Sequence, residues 1–330
     1  MSKASPHHES PTRDRPYRTH LPHAAFAPRY LGAWFVVLLL AIAGQLPLLL
    51  TRPVGAALGL MMMAANRKRR EVVRINLALC FPNKGAHERA RIARRHFIVA
   101  GQAFVDLGLL VFGPQWRVLR AVRIQGLEHL RAQLGSGGRT ILLVPHMVGM
   151  NFAGSVVVRE HRGFSMMKLQ RNPIVNWMLN RGRARFGGEL ISRHQGLRPV
   201  LRRLRRGQGF YYLPDEDFGP KHSVFAPFFG VPRATLPTLG RLAEMADAAV
   251  LPFFVRLLPW GRGYEAVVHP PLAGFPAGDP VTDATAMNRA LEHGIAAMPE
   301  QYMWTLKFFR TRPDGSPSPY PATPRRGRRG

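Results

Sequence analysis

The sequence predicts an α/β protein: a mainly parallel sheet flanked by helices, preceded by an apolar N-terminal membrane helix. Three observations predict it. First, Thr140-Ile141-Leu142-Leu143-Val144 is a short, apolar, β-rich run. A strand buried on both faces of a parallel sheet reads this way. Second, further strand-like segments at 164–169, 209–213, 250–258 and 264–268 alternate with helix-like stretches. Those stretches are 174–186, 197–206, 236–246 and 282–297. Strands alternating with helices argue for a parallel sheet covered on both sides. Third, residues 30–50 carry no charge, and a bilayer-spanning helix needs roughly 20 apolar residues.

Taken in chain order, residues 1–29 are polar, Pro-rich and His-rich and read as a disordered tail. Residues 30–65 read as a membrane anchor. Gly44, Gln45 and Pro47 weaken the first apolar run, and Thr51-Arg52-Pro53 separates it from a second, 54–65, too short to span alone. A signal peptide and an interfacial or re-entrant helix are the competing readings. Basic residues flank the run on both sides, with Arg67, Lys68, Arg69, Arg70 and Arg74 close behind it. The positive-inside rule leans slightly toward a cytoplasmic C-terminal side. Residues 66–316 form the α/β domain, opening with helices at 71–79 and 87–112 that Pro82-Asn83-Lys84-Gly85 separates. Residues 317–330 are a Pro- and Arg-rich tail that reads as disordered.

The 330 residues hold 47 Lys and Arg against 19 Asp and Glu, a formal charge of +28. Such a field attracts polyanions: nucleic acid, anionic lipid, phosphorylated glycolipid or an acidic protein. No nucleic-acid module is recognisable, and an apolar run of this length is unexpected in a nucleic-acid-binding protein. Cys80 is the only cysteine, so no internal disulfide or cysteine zinc cluster can form; it reads as a small buried residue.

Three segments carry candidate chemistry. His146 lies just past the strand 140–144, where ligands of open α/β sheets bind, and a histidine there is placed to act as a base. It is also readable as a structural histidine. Asp215, Glu216 and Asp217 follow the strand 209–213 and could face the same crevice, or form an acidic turn. Between them lies a basic set with Lys168, Arg171, Arg181, Arg183, Arg185 and Arg193. Arg198, Arg202, Arg205 and Arg206 follow at helical spacing. Guanidinium groups clasp phosphate, although a basic helix face can simply be solvated. No Gly-rich phosphate loop, zinc-ligand spacing or Gly-x-Ser-x-Gly elbow occurs, so neither cofactor nor metal is expected.

Asn76-Leu77-Ala78-Leu79-Cys80-Phe81-Pro82, the block Pro214 to Pro220, and Pro299-Glu300-Gln301-Tyr302-Met303-Trp304 with Arg310-Thr311-Arg312-Pro313 stand in this order. The chain thereby resembles the bacterial lipid A late acyltransferases, the lauroyl and myristoyl transferases, over nearly all residues after 30. The resemblance implies a glycerolipid-acyltransferase-like fold on the cytoplasmic face of the inner membrane of a Gram-negative cell. It implies acyl transfer from acyl carrier protein to a hydroxyl of a 3-hydroxyacyl chain on a phosphorylated, Kdo-bearing lipid A precursor. No nucleic acid is implied. The implied catalytic positions are His146, Asn151 and Asp217, and the implied substrate contacts are Lys168, Arg171, Arg193 and Asp215. The family carries Asp or Glu five residues after the histidine, where this chain has Asn151, and an arginine where it has Lys168. A low-activity paralogue and a transferase acting on another glycolipid or aminolipid are the alternatives. On this reading Asn151→Asp should raise turnover, unless another acid, Asp217 first, already serves the imidazole.

Overall fold

The computed structural model describes residues 21–321. The chain begins with α1 (Leu31–Ala43), α2 (Leu48–Ala65), α3 (Arg67–Cys80), α4 (Ala86–Phe112) and α5 (Gln115–Arg120). Then follow β1 (Val122–Gln125), α6 (Leu127–Gly135), β2 (Arg139–Leu143), α7 (Met150–Glu160), β3 (Gly163–Met167) and α8 (Pro173–Ala184). Next come β4 (Glu189–Ser192), α9 (Arg198–Arg205), β5 (Gly209–Tyr212), β6 (Val224–Phe228) and β7 (Val231–Thr235). The last elements are α10 (Thr238–Ala246), β8 (Ala248–Leu257), β9 (Tyr264–Val268) and α11 (Pro280–Ala297).

Seven strands form one sheet in the order β1-β9-β8-β2-β5-β3-β4. From β8 to β4 every neighbour is parallel, whereas β9 runs antiparallel to β8 and carries β1 parallel to itself. This is the mainly parallel α/β sheet that the apolar run at 140–144 predicted. Ile141, Leu143, Val250, Leu251 and Phe253 are fully or almost fully buried at its centre. Each such side chain contributes roughly 1.5–3 kcal/mol on burial. Helices α6, α7 and α8 cover one face; α9, α10 and α11 cover the other. The segment after β2 therefore leads to one face, and the segment after its neighbour β5 leads to the other. A crevice opens between the C-terminal ends of such a pair.

The uncharged run 30–50 is not a single helix. Helix α1 ends at Ala43 and α2 starts at Leu48, because Pro47 sits at the junction in an extended conformation. Arg117 donates from its guanidinium to the carbonyls of Gly44, Gln45 and Leu46, replacing the helical partners lost at the break. Helix α2 then continues through Pro53 and absorbs the second apolar run. Among the described residues two helices, α2 and α4, are long and apolar enough to cross a membrane. At 1.5 Å per residue α2 is about 27 Å long, close to the roughly 30 Å of a hydrocarbon core. Leu38, Leu39, Ile42, Leu49, Leu50 and Val54 leave an apolar band exposed along α1 and α2. Against α4 the backbones nearly touch: a Cβ on Gly59 would overlap the Phe97 carbonyl, and one on Gly108 would overlap that of Leu40.

Both end segments are described only in part. Residues 23–26 and 28–30 form short 3-10 turns, with Trp34 Nε1 donating to the carbonyl of buried Ala25. Tyr320 is buried and donates its hydroxyl to Asn76 Oδ1. The rest of the expected tails, 1–20 and 322–330, lies outside the described residues.

Candidate active site

His146 follows β2 and Asp215 follows β5, so parallel pairing of these adjacent strands brings the two loops together. Val144 extends β2 by donating its N–H to Tyr212 at 2.9 Å. Asp215 then grips His146 twice. Nδ1–H donates to Oδ1 at 2.5 Å, and the backbone N–H donates to Oδ2 at 2.8 Å. A carboxylate only accepts, so in the neutral ring the proton sits on Nδ1 and Nε2 keeps its lone pair. The Asp215 side chain is fully buried; that of His146 retains 15% exposure.

Burial opposes the charged forms of both groups, and their mutual attraction outweighs it. Burial would raise the Asp215 carboxyl, but the His146 charge, the two hydrogen bonds and more distant Arg233 hold it down to about 2. Burial would likewise lower the His146 imidazole; the Asp215 charge and hydrogen bond, with help from Glu216, raise it above 6.5. Arg233 is itself buried on β7, donating to Asn288 Oδ1 at 2.8 Å. The β6–β7 hairpin thus supplies a fixed positive charge behind the pair.

Segments far apart in sequence brace the histidine loop. Val148 N–H donates to the Gln301 carbonyl, and Met303 N–H donates to the His146 carbonyl at 2.8 Å. Gln301 exchanges two hydrogen bonds with the backbone of Leu257 on β8. Asn76 holds the carbonyls of Trp304 and Leu306 at 2.7 and 2.8 Å. Cys80 is buried nearby, and burial pushes its thiol far up, which leaves it an unreactive filler.

The expected site residues separate into those that meet and those that do not. Asn151, in the first turn of α7, does not pair with His146; its Oδ1 accepts from Arg183 Nε on α8 at 2.9 Å. Asp217 does not reach His146 either. It accepts from the Thr311 N–H at 2.7 Å, the Thr311 hydroxyl at 2.8 Å and the Gly219 N–H at 2.9 Å, with Arg310 at 3.6 Å. Asp215, expected among the substrate contacts, is the residue on His146. Lys168 and Arg193 line the same cavity as His146, and Arg193 donates to Glu216 Oε2 at 2.9 Å. Arg171 is exposed and lies outside the cavity wall. The sequence reading placed Arg183 only within a general basic set. It is a cavity residue, its guanidinium between Asn151 and the Met167 sulfur, and burial draws its pKa below the ordinary value. Nothing in the sequence distinguishes it from Arg181 or Arg185; the turn of α8 does.

Asp217 is therefore a clasp between the acidic block and the C-terminal segment. Asp217→Ala strands two backbone N–H groups and should destabilise the protein by about 1–3 kcal/mol. Chemical unfolding of the variant measures this, and unchanged stability would rule out the clasp.

The cavity beside His146 measures about 700 Å³ and is lined largely by apolar groups, Leu142, Val157, Phe164, Met167, Leu179 and Leu190 among them. A hydrogen-bonded imidazole thus lies at a sheet switch point beside an apolar recess, an arrangement chemically able to accept a proton from a hydroxyl. Residues 19–311 match the family described as bacterial lipid A biosynthesis acyltransferase. The lipid A biosynthesis acyltransferase of Haemophilus influenzae is 34% identical over 302 residues, 91% of this chain and 94% of that protein. The lipid A biosynthesis lauroyltransferase of Escherichia coli K12 is 33% identical over 92% of this chain and 100% of its own length. The myristoyltransferase of the same organism is 35% identical over 89% and 91%. The chain belongs to the bacterial lipid A biosynthesis acyltransferase family.

Proposed function

We propose that this protein transfers an acyl chain from an acyl carrier protein thioester to the hydroxyl of a 3-hydroxyacyl chain on a phosphorylated, Kdo-bearing lipid A precursor. The observation that carries the reading is the His146–Asp215 pair facing an apolar cavity. His146 Nε2 takes the proton of the acceptor hydroxyl as its oxygen attacks the thioester carbonyl. The C–O bond forms, the C–S bond breaks, and the imidazolium returns its proton to the departing thiolate. Asp215 fixes the ring's tautomer and stabilises the imidazolium between these steps. Arg183 lends positive charge to the cavity in which the carbonyl oxygen becomes negative. Lys168 and Arg193 in the cavity wall, with exposed Arg171 three residues along the chain from Lys168, are the candidates to meet acceptor phosphates or an acidic carrier.

On the proposed reading Asp215 serves as the carboxylate that Asn151 cannot be, and the hydrogen bond from His146 Nδ1 to Asp215 supports this over the low-activity alternative that rested on Asn151. The apolar band on α1 and α2 supports attachment to the inner membrane, with the α/β domain on the cytoplasmic side where carrier protein is available. Assay with carrier-bound and coenzyme-bound acyl chains, against hydroxyacyl acceptors with and without Kdo, tests donor and acceptor. Transfer from neither donor would sink the proposal. Protease protection in sealed vesicles of known orientation tests the topology.

The acid limb of kcat/KM should reflect His146. Only the neutral ring accepts a proton, so activity should fall as pH drops through a pKa above 6.5. Asp215→Asn removes the charge that raises this value. The limb should then move to lower pH while the plateau falls. An unmoved midpoint would mean that Asp215 does not set the basicity of His146.

A further inference from the structure

We propose that the slot between α7 and the sheet seats the transferred acyl chain, with the carbonyl at His146 and the chain end near Thr140 and His161, and that Gly154 limits chain length. This rests on the acyl-transfer reading above and deepens it.

The slot comes from residues that leave space. Asn151, Gly154, Ser155 and Val158 recur at helical spacing along α7, and all line the cavity. Opposite them the sheet presents Thr140, Gly163, Ser165 and Gly209, again mostly small. These four share one face, because Gly163 pairs with Gly209 and Ser165 with Tyr211. Tyr211 on that face donates its hydroxyl to the Met150 carbonyl, which props the start of α7 away from the strands. From Val144 back to Thr140 the wall runs about 13 Å along β2, with His146 two residues beyond.

The two ends differ in chemistry. At one end is the His146–Asp215 pair. At the other, Thr140 Oγ1 and His161 Nε2 are buried with no hydrogen-bond partner among the described residues, and both lie close to Gly209. A methyl terminus has nothing to gain against these polar atoms, so they mark where the apolar slot stops. Leu130, Leu142, Val157 and Val158 supply apolar wall near that end. The occupant that fits is a single unbranched hydrocarbon chain with a reactive carbonyl at His146.

Gly154 occupies the middle of this path. The three atoms nearest to a Cβ there all belong to the Tyr211 side chain, at 3.5–3.8 Å, ordinary contact distances. A side chain at 154 therefore projects into the slot without displacing backbone, and Ala suits a helix better than Gly. Each methylene excluded from apolar surroundings weakens binding on the order of fourfold.

The test measures two readouts on wild type, Gly154→Ala and Gly154→Val. One is binding of free fatty acids of ten to sixteen carbons to the purified full-length protein. The other is the acyl chain transferred from an equimolar mixture of carrier-protein thioesters, read by mass spectrometry. Both variants should favour shorter chains, Val more than Ala. The longest chain that wild type binds should lose at least about tenfold in Gly154→Val, and the shortest should change little. Fatty-acid binding reports on the slot even if wild type transfers nothing from a carrier, so failure of the acyl-transfer reading remains separable. Equal loss at all lengths, or an unchanged profile in the folded Ala variant, overturns the assignment.

Discussion

Replacing His146 by Ala should lower acyl transfer by roughly 10²–10⁴-fold, the range a positioned general base supplies. Asp215→Asn should approach the same loss, because an amide can hold the ring but cannot stabilise the imidazolium; the analogous change in a serine protease costs about 10⁴. Both variants should fold, since the histidine loop is also held through backbone contacts to Gln301 and Met303. Asn151→Asp separates this arrangement from one in which residue 151 serves the imidazole. The new carboxylate would face Arg183, so it should form an ion pair there and leave the pH midpoint nearly unchanged. A large gain in turnover from Asn151→Asp, or full activity in His146→Ala measured against mock-purified protein, would defeat the His146–Asp215 mechanism.

The contrast between residues 151, 215 and 217 shows where sequence reading stops. Apolar β-rich runs at 140–144 and 250–258 announced the central strands, because a strand buried on both faces can hold little else. The same logic placed His146 at a strand end. Three consecutive acids then had to be told apart, and spacing along the chain could not do it. The register between β2 and β5 decides the matter: it delivers Asp215 to the imidazole and leaves Asp217 two residues on, facing Thr311. Asn151 misleads for a related reason. It is close to His146 in sequence, but α7 begins between them and turns its amide toward α8. Helix α7 itself went unread because Met150 to Glu160 contains Gly154 and three consecutive valines, a poor helical signature. Short β1 and β4 have too few residues for an alternating pattern to register. The break at Pro47 was visible as a weakness, yet the continuation of α2 through Pro53 depends on packing against α4, which no local pattern encodes.

Asp106→Ala should destabilise the protein by about 3–5 kcal/mol, the cost of leaving one member of a buried ion pair alone. Arg52 NH1 meets Asp106 Oδ2 at 2.6 Å, with both side chains almost wholly buried. Tyr264 on β9 donates its hydroxyl to the same oxygen at 2.6 Å. This one carboxylate therefore joins α2, α4 and the sheet. In the sequence Arg52 looked like a polar interruption between two apolar runs; in the fold its partner lies on α4, 54 residues away. Without Asp106 the guanidinium keeps only the neutral Tyr264 hydroxyl beside it, and its Nε and NH2 already lack partners among the described residues. Tyr264 also stacks on Phe152 of α7, ring centroids 4.3 Å apart, so loosening it should disturb the helix that carries Asn151 and walls the cavity. Thermal unfolding in detergent should show a drop of several degrees. The double change Arg52→Met with Asp106→Leu, which removes both charges at once, should recover most of it, because well-packed apolar residues replace a buried pair at little cost. A melting temperature in Asp106→Ala equal to that of the natural protein would show that the pair does not hold α2 to the catalytic sheet.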